Sequence, residues 1–467
     1  MHRFRISNPF VKTLTILLCS GFLVLAHQGD PKVRDEQPRY EGPGYQQGAF
    51  LGKNGPEFQS SGLVMHSWMT LAELGNQTRG NDCWGYTAPS GREYAIMGLR
   101  GGTAFVEITN PAQPALIEFI EGPSSSWRDV KTYSHYAYIV TEGGEGIQVV
   151  NLANVDQGEA LLVNTVTTGG ATATHNVAIN EESGYLYRTG GSSNGLRIYD
   201  LANPAAPEYV GAWSDRYVHD AQIVTYTEGP YAGREIAFAC AGFNGGSTQT
   251  GLSIVDVTDK QNIQVITHYQ FSNPNYSHQG WLSEDRRYFY LNDELDESRT
   301  GSTTTTRVID VSDLENPFEA STFTTGLRAI DHNLYTHQGM IFQANYRSGL
   351  RVFETSDPLA PTEIAYFDTY PDNNNPNFNG LWSVYPYFPS GTIIGSDLEK
   401  GLFVWRLTTN GCNLKYDQNG DCLITLTDVR LLHEAWLTYC DECTTDVDGS
   451  GRVNVRDMVM LVNNIAQ

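Results

Sequence analysis

The chain has 467 residues, 46 of them Gly and 26 Tyr, with 40% hydrophobic and 11% aromatic side chains and a formal net charge of -23. That length buries a sizeable core without difficulty, and the Gly- and Tyr-rich mixture suits many short strands joined by turns. The acidity argues against a nucleic-acid backbone or an anionic membrane surface as partner, because the averaged field repels both.

The chain opens with Arg3, Arg5 and Lys12 ahead of LTILLCSGFLVLA, an apolar run of 13 residues ending at Ala26. Basic residues before a short apolar run predict a signal peptide over 1–26 and a mature protein that is secreted or held at the cell surface. Cys19 raises lipidation as an alternative, against which the bulky Leu18 precedes it. No later segment is long and apolar enough to span a membrane, so the mature chain is expected to carry no transmembrane span. Residues 27–60, rich in Gly, Pro and Gln, read as an extended leader.

From residue 61 to 408 one pattern recurs. The segments GGTAFVEIT, GEGIQVVNL, SNGLRIYDL, QTGLSIVDV, TTTTRVIDV, RSGLRVFET and EKGLFVWRL each pass from a small residue into an alternating apolar strand, and an acidic or amide residue usually closes it. Their closing positions, from Glu107 to Arg406, lie 44 to 56 residues apart. Four strands per repeat and no helical periodicity predict an all-β, seven-bladed β-propeller. The seventh unit, 382–407, is one strand short, and LVMHSWMTLAEL at 63–74 supplies an outer strand that closes the last blade.

A second frame runs through the same units. His175, His219, His278 and His332 open equivalent strands, with Arg128, Trp382 and Cys83 in looser correspondence, and polar residues such as Asp129, Asn176, Asp220, Gln279 and Asn333 follow one position on. If this strand is the innermost of each blade, His175, His219, His278, His332, Asp129 and Asp220 form a candidate channel site for a transition metal, held through neutral imidazoles. The competing reading is structural: repeated polar residues satisfy backbone groups between blades. The acidic run LNDELDES at 291–298 reads as a solvated loop, and no complete catalytic motif stands out.

The tail carries two 12-residue loops. DQNGDCLITLTD offers Asp417, Asn419, Asp421, the Leu423 carbonyl, Thr425 and Asp428; DVDGSGRVNVRD offers Asp446, Asp448, Ser450, the Arg452 carbonyl, Asn454 and Asp457. Calcium takes six to eight oxygens, and this spacing wraps a loop to deliver them. Each loop runs into a helically spaced apolar stretch, so the tail is expected to be a small α-helical tandem of EF-hand-like loops, over 412–467, binding two calcium ions. Cys412, Cys422, Cys440 and Cys443 crowd there and favour disulfide use, with three pairings open.

This tandem resembles a type I dockerin, with Cys422 standing where the second loop has its turn glycine, Gly451. The resemblance implies a cohesin-like or surface scaffold partner. The body, through CWGY (83–86), HNVAIN (175–180), SHQGWLSED (278–285), YFYLNDE (288–294), GLSIVDV and GLRIYDL, resembles the choice-of-anchor B family of LVIVD-type repeats. That resemblance implies an exported bacterial protein with an interchangeable surface-association module and no established reaction. The function expected is a binding propeller for a glycan or protein ligand, anchored through its calcium module. The alternative is a metalloenzyme, an oxidoreductase or hydrolase, using the channel histidines.

Overall fold

The structure, a computed structural model, describes residues 35–46, 57–242, 250–408, 426–436, 445–447 and 450–462. The expected export signal with Cys19 lies outside these residues, as do Asp417, Asn419, Asp421, Leu423, Thr425, Asp448 and the cysteines 412, 422, 440 and 443.

Seven antiparallel sheets succeed one another along the chain. Their first strands are Gly80–Thr87 in blade 1, Arg128–Tyr133 in blade 2, Asn176–Asn180 in blade 3, Asp220–Thr225 in blade 4, Ser277–Leu282 in blade 5, Asn333–His337 in blade 6 and Leu381–Tyr385 in blade 7. Each of these strands lies against its counterparts in the neighbouring blades, and that of blade 7 lies against that of blade 1. They are therefore the inner strands of a closed seven-bladed propeller, as the histidine frame requires.

The recurring segments form the third strand of every blade, among them Gly102–Glu107, Leu196–Asp200, Gly251–Asp256 and Leu350–Glu354. Local sterics explain the small residue that leads them. At Gly195, with φ of +70°, an added Cβ would stand 1.7 Å from the Trp213 carbonyl oxygen, and at Gly349, with φ of +71°, 2.1 Å from that of Phe367. Only glycine lets the third strand leave the turn so close to the outer strand. The closing polar residue caps the next turn: the Asp256 carboxylate accepts bonds from the Thr258 N–H and hydroxyl, that of Asp310 from those of Ser312, and that of Asp200 from the Ala202 N–H.

Closure is made by chain ends. Leu63–Met69 pairs antiparallel with Gly401–Leu407, from Leu63 opposite Leu407 to Met69 opposite Leu402, and completes blade 7 as expected. The Trp68 ring lies parallel to Phe403 at 5.3 Å, and its indole N–H donates to the Lys400 carbonyl at 2.7 Å.

The leader does more than extend. Tyr45–Gln46 pairs with Ser67 and Trp68 as a fifth strand of blade 7, and Gln59–Ser61 pairs with Thr362–Asp368 as a fifth strand of blade 6. Between them Phe58 contacts Trp68, Phe367 and Phe403 with ring centroids 5.2 to 5.4 Å away. Arg39 donates to the Gln77 carbonyl at 2.7 Å, and the Asp35 carboxylate accepts from the Asn377 amide at 2.9 Å, so the segment also ties down the loops around blades 7 and 1.

In the tail, helices Leu426–Glu434 and Val455–Val462 share a small core of Leu432, Val447, Val453 and Leu461. Within the second loop the Asp446 carboxylate accepts from the N–H groups of Ser450 and Gly451, at 3.0 and 2.6 Å, and that of Asp457 from the Asn454 N–H at 2.8 Å. Cys83 and Cys240 are buried free thiols far apart in the blades.

Because Trp68 is 2% exposed on the closing strand, Trp68→Ala is expected to destabilise the propeller by about 3–5 kcal/mol. Denaturant unfolding measures it, and a loss of less than about 1 kcal/mol would mean that the seal does not depend on this strand.

Candidate functional site

Residues at the start of the inner strands line one mouth of the channel. His175, His219 and His332 immediately precede their strands, while His278 and Trp382 sit at register shifts between Ser277 and Gln279 and between Leu381 and Ser383. An irregularity of this kind re-aims a side chain that strict alternation would point elsewhere. The rings follow one another in an arc, with centroids separated by 4.3 Å from His175 to His219, 4.0 Å from His219 to His278, 4.3 Å from His278 to His332 and 4.5 Å from His332 to Trp382. In blade 2 it is Trp127, not Arg128, that continues the arc, 6.5 Å from His175. Arg128 instead donates to the carbonyls of Leu99 and Pro123, and Cys83 is enclosed in the apolar packing around blade 1.

The four imidazoles do not share one centre. His175 Nδ1 bonds a carboxylate oxygen of Glu142 at 2.6 Å, His219 Nδ1 the His278 carbonyl at 2.9 Å, and His332 Nδ1 the Trp382 carbonyl at 2.6 Å. A carbonyl oxygen can only accept, so in His219 and His332 Nδ1 carries a proton, and whenever the ring is neutral the lone pair is on Nε2. His278 and His332 turn their Nε2 atoms to a single oxygen of Glu294, at 3.7 and 3.6 Å. The Tyr346 hydroxyl donates to that same oxygen at 2.9 Å. Among the described residues, His278, Glu294 and His332 are the one group of three ligand-bearing side chains whose donor atoms all lie within 4.8 Å of one another.

Glu294 belongs to the acidic run expected to be a solvated loop, and here the structure corrects that expectation. Asp293, Glu294, Asp296 and Glu297 are all buried. The Asp293 carboxylate accepts from the N–H groups of Asn275 and Tyr276, each at 2.6 Å, which holds the run against the mouth. Burial pushes the carboxyl of Asp331 well up, with Asp296 adding to the effect, and burial pushes Asp296 up to about 6.

One residue further along the inner strands the frame serves the backbone. The Asp129 carboxylate accepts from the Val177 N–H at 2.7 Å, the Asn176 amide donates to the His219 carbonyl at 3.2 Å, and Gln279 makes both bonds of a clamp on Leu334, at 2.9 and 3.0 Å. These side chains stitch adjacent blades together, as the structural alternative requires. Asp129 and Asp220 therefore lie in a second layer, where the Lys131 ammonium bonds Asp129 at 2.6 Å and approaches Asp82 at 3.3 Å. Burial raises the Asp129 carboxyl well above its usual range against the pull of Lys131, while Lys131 and hydrogen bonds outweigh burial at Asp82 and lower it. Burial likewise lifts Asp220 to about 6.

Two further residues on, the same strand face lines a cavity of about 330 Å³ at the other end of the channel, walled by Trp84, Trp281, Tyr385 and Tyr387 with Lys131, Glu181, Asp220 and Gln222 at its polar edges. Tyr335 backs this wall, its ring 4.9 Å from Trp281 and 5.6 Å from Trp84. The position three after the histidine frame, occupied by Lys131, Gln222, Trp281, Tyr335 and Tyr385, carries the signal in the sequence, because positions one and three on share a face of a strand. Glu294 and Glu142, on second strands or the turns after them, left no comparable periodic trace.

No family model matches the chain, and no curated protein matches it. Among solved structures it is similar to the Cps50 (Swd1) β-propeller domain of Myceliophteria thermophila, at 12% identity and a TM-score of 0.49 over 72% of this chain and 99% of that one. It is also similar to a protein from Lactobacillus plantarum, at 13% identity and a TM-score of 0.47 over 64% and 85% of the two chains. A third is the hydrazine synthase of Kuenenia stuttgartiensis, at 11% identity and a TM-score of 0.48 over 71% and 95%.

Since Asp220 binds its proton more tightly when folded, it favours the folded state at low pH, and that contribution is lost as pH rises from the ordinary carboxylate value of 3.8 through about 6. Asp220→Asn is expected to gain stability relative to the parent over that window and to hold a constant advantage above it. Urea midpoints between pH 4 and 8 test this, and a pH-independent difference would show that Asp220 titrates as an ordinary surface carboxylate.

Proposed function

We propose that the chain is an extracellular binding propeller, carried on a surface or scaffold by a calcium-loaded C-terminal module. The observation that carries the binding reading is the aromatic-walled cavity. Its volume of about 330 Å³ lies within the range of small-ligand pockets. Flat rings beside carboxylate, amide and ammonium groups suit a saccharide unit, which has apolar ring faces and a hydroxylated edge. The two half-exposed tryptophans, Trp84 and Trp281, present the faces, and Asp220, Glu181 and Gln222 the acceptors and donors.

Calorimetry with a panel of neutral oligosaccharides tests it. Binding is expected to weaken at least tenfold, about 1.4 kcal/mol, in Trp281→Ala and in Tyr387→Ala. Saccharide binding that ignores both substitutions would place the ligand elsewhere, and a protein ligand on the outer loops would then be the better account.

The anchoring reading is supported by the second loop, in which Asp446 and Asp457 are already drawn inward by backbone N–H groups as ligands of a calcium loop would be. Val455, Val459 and Val462, exposed on one face of the last helix at spacings of four and three, suit docking on a partner protein such as a cohesin-like scaffold. Calcium titration is expected to give two ions per chain, with one lost in Asp446→Ala. In protein already freed of transition ions, removing calcium should abolish the helical signal of the tail while the propeller's unfolding midpoint stays fixed; a tail insensitive to calcium removal would refute the calcium reading.

A further inference from the structure

We propose that His278, His332 and Glu294 form a binding site for a borderline divalent transition ion such as zinc, independent of the saccharide cavity and of the calcium loops. Three side chains converge there: Nε2 of each imidazole stands 3.7 or 3.6 Å from the same Glu294 oxygen, and all donor atoms lie within 4.8 Å of one another. These separations exceed a hydrogen bond. The two imidazole–carboxylate separations lie a few tenths of an ångström above the edge of a tetrahedron around zinc, which at bond lengths of about 2.0–2.1 Å is about 3.4 Å.

The surroundings are those a metal ligand needs. His332 Nδ1–H donates to the Trp382 carbonyl, so in the neutral ring that a metal binds it is the Nε2 lone pair that faces the Glu294 oxygen. A divalent ion bound between them would be held by both atoms at once. A carbonyl on the far nitrogen is the usual outer partner of a metal-bound histidine, and the Tyr346 hydroxyl plays the corresponding part for the carboxylate. The three ligands are each about 1% exposed, so solvent screens the ion little.

Imidazole and carboxylate ligands select a borderline ion over calcium, which prefers all-oxygen coordination. His175 and His219 stay outside the set: His175 is engaged by Glu142, and neither brings a donor atom within 4.8 Å of all three ligands. Three protein ligands leave a tetrahedral ion one open position, the arrangement that distinguishes reactive zinc centres from closed structural ones.

The test uses the full-length chain, stripped with chelator and returned to excess calcium so that the oxygen loops are filled, then titrated with cobalt(II) and zinc. One equivalent of cobalt is expected to bind with visible d–d absorption, and zinc to displace it. Affinity should fall at least a hundredfold in His332→Ala and in Glu294→Gln and remain within a few-fold of the parent in His219→Ala. Zinc should raise the propeller's unfolding midpoint in the parent and not in Glu294→Gln. If a histidine variant fails to fold, Glu294→Gln, which keeps the size and shape of the side chain, decides alone. A parent that takes up no cobalt or zinc at micromolar concentration, or uptake that Glu294→Gln leaves unchanged, overturns the proposal.

Discussion

Everything in the channel depends on the pairing of Leu63–Met69 with Gly401–Leu407. A ring of sheets can focus side chains on an axis only when it is closed; an open row would spread the same residues along a line. Here the two segments meet in a ladder of six residue pairs, and the Trp68–Phe403 stack fills the space behind it. The leader adds a second tie, because its two short strands extend the blades on either side of the blade 6–blade 7 boundary and Phe58 packs between them. Sheet edges that would otherwise lie bare at those blades are covered, which suits a protein rich in strands.

The blade count, the inner position of the histidine strand and the closing strand were all legible in the sequence, for one reason. Each depends on a local pattern that recurs through the seven units: an alternating apolar strand in all of them, led in six by a glycine and closed in six by a carboxylate or amide. Repetition turns a weak local signal into a strong one. The leader's strands lacked that support, since each occurs once and their partners lie some 20 to 300 residues away in the chain.

The channel was legible only in part, because neighbouring residues of one motif do different work. The position after each histidine bonds backbone in the next blade, so its polar character has a structural cause. The histidine itself escapes the alternation by standing just before the strand or on a register shift, and is turned to the mouth. A reading that groups the two positions mixes a scaffold layer with a chemical one, which is why Asp129 and Asp220 fall with Lys131 and Asp82 and not with the imidazoles.

Glu294 shows the limit of composition as a guide. A run with four carboxylates in eight residues has the look of a solvated loop, since burying charge is expensive. What reverses the balance is the local supply of donors: Asp293 takes two backbone N–H groups, Glu294 takes the Tyr346 hydroxyl, and burial keeps Asp296 and Asp331 protonated into a higher pH range than usual. None of these partners is near the run's flanks in a way that the sequence announces; Tyr346 lies 52 residues on, in the next blade. Once the run is held inward, the propeller's curvature brings a carboxylate from the turn after one blade's second strand between the inner-strand histidines of that blade and the next. Two adjacent blades thus supply an arrangement of donors that neither could build alone.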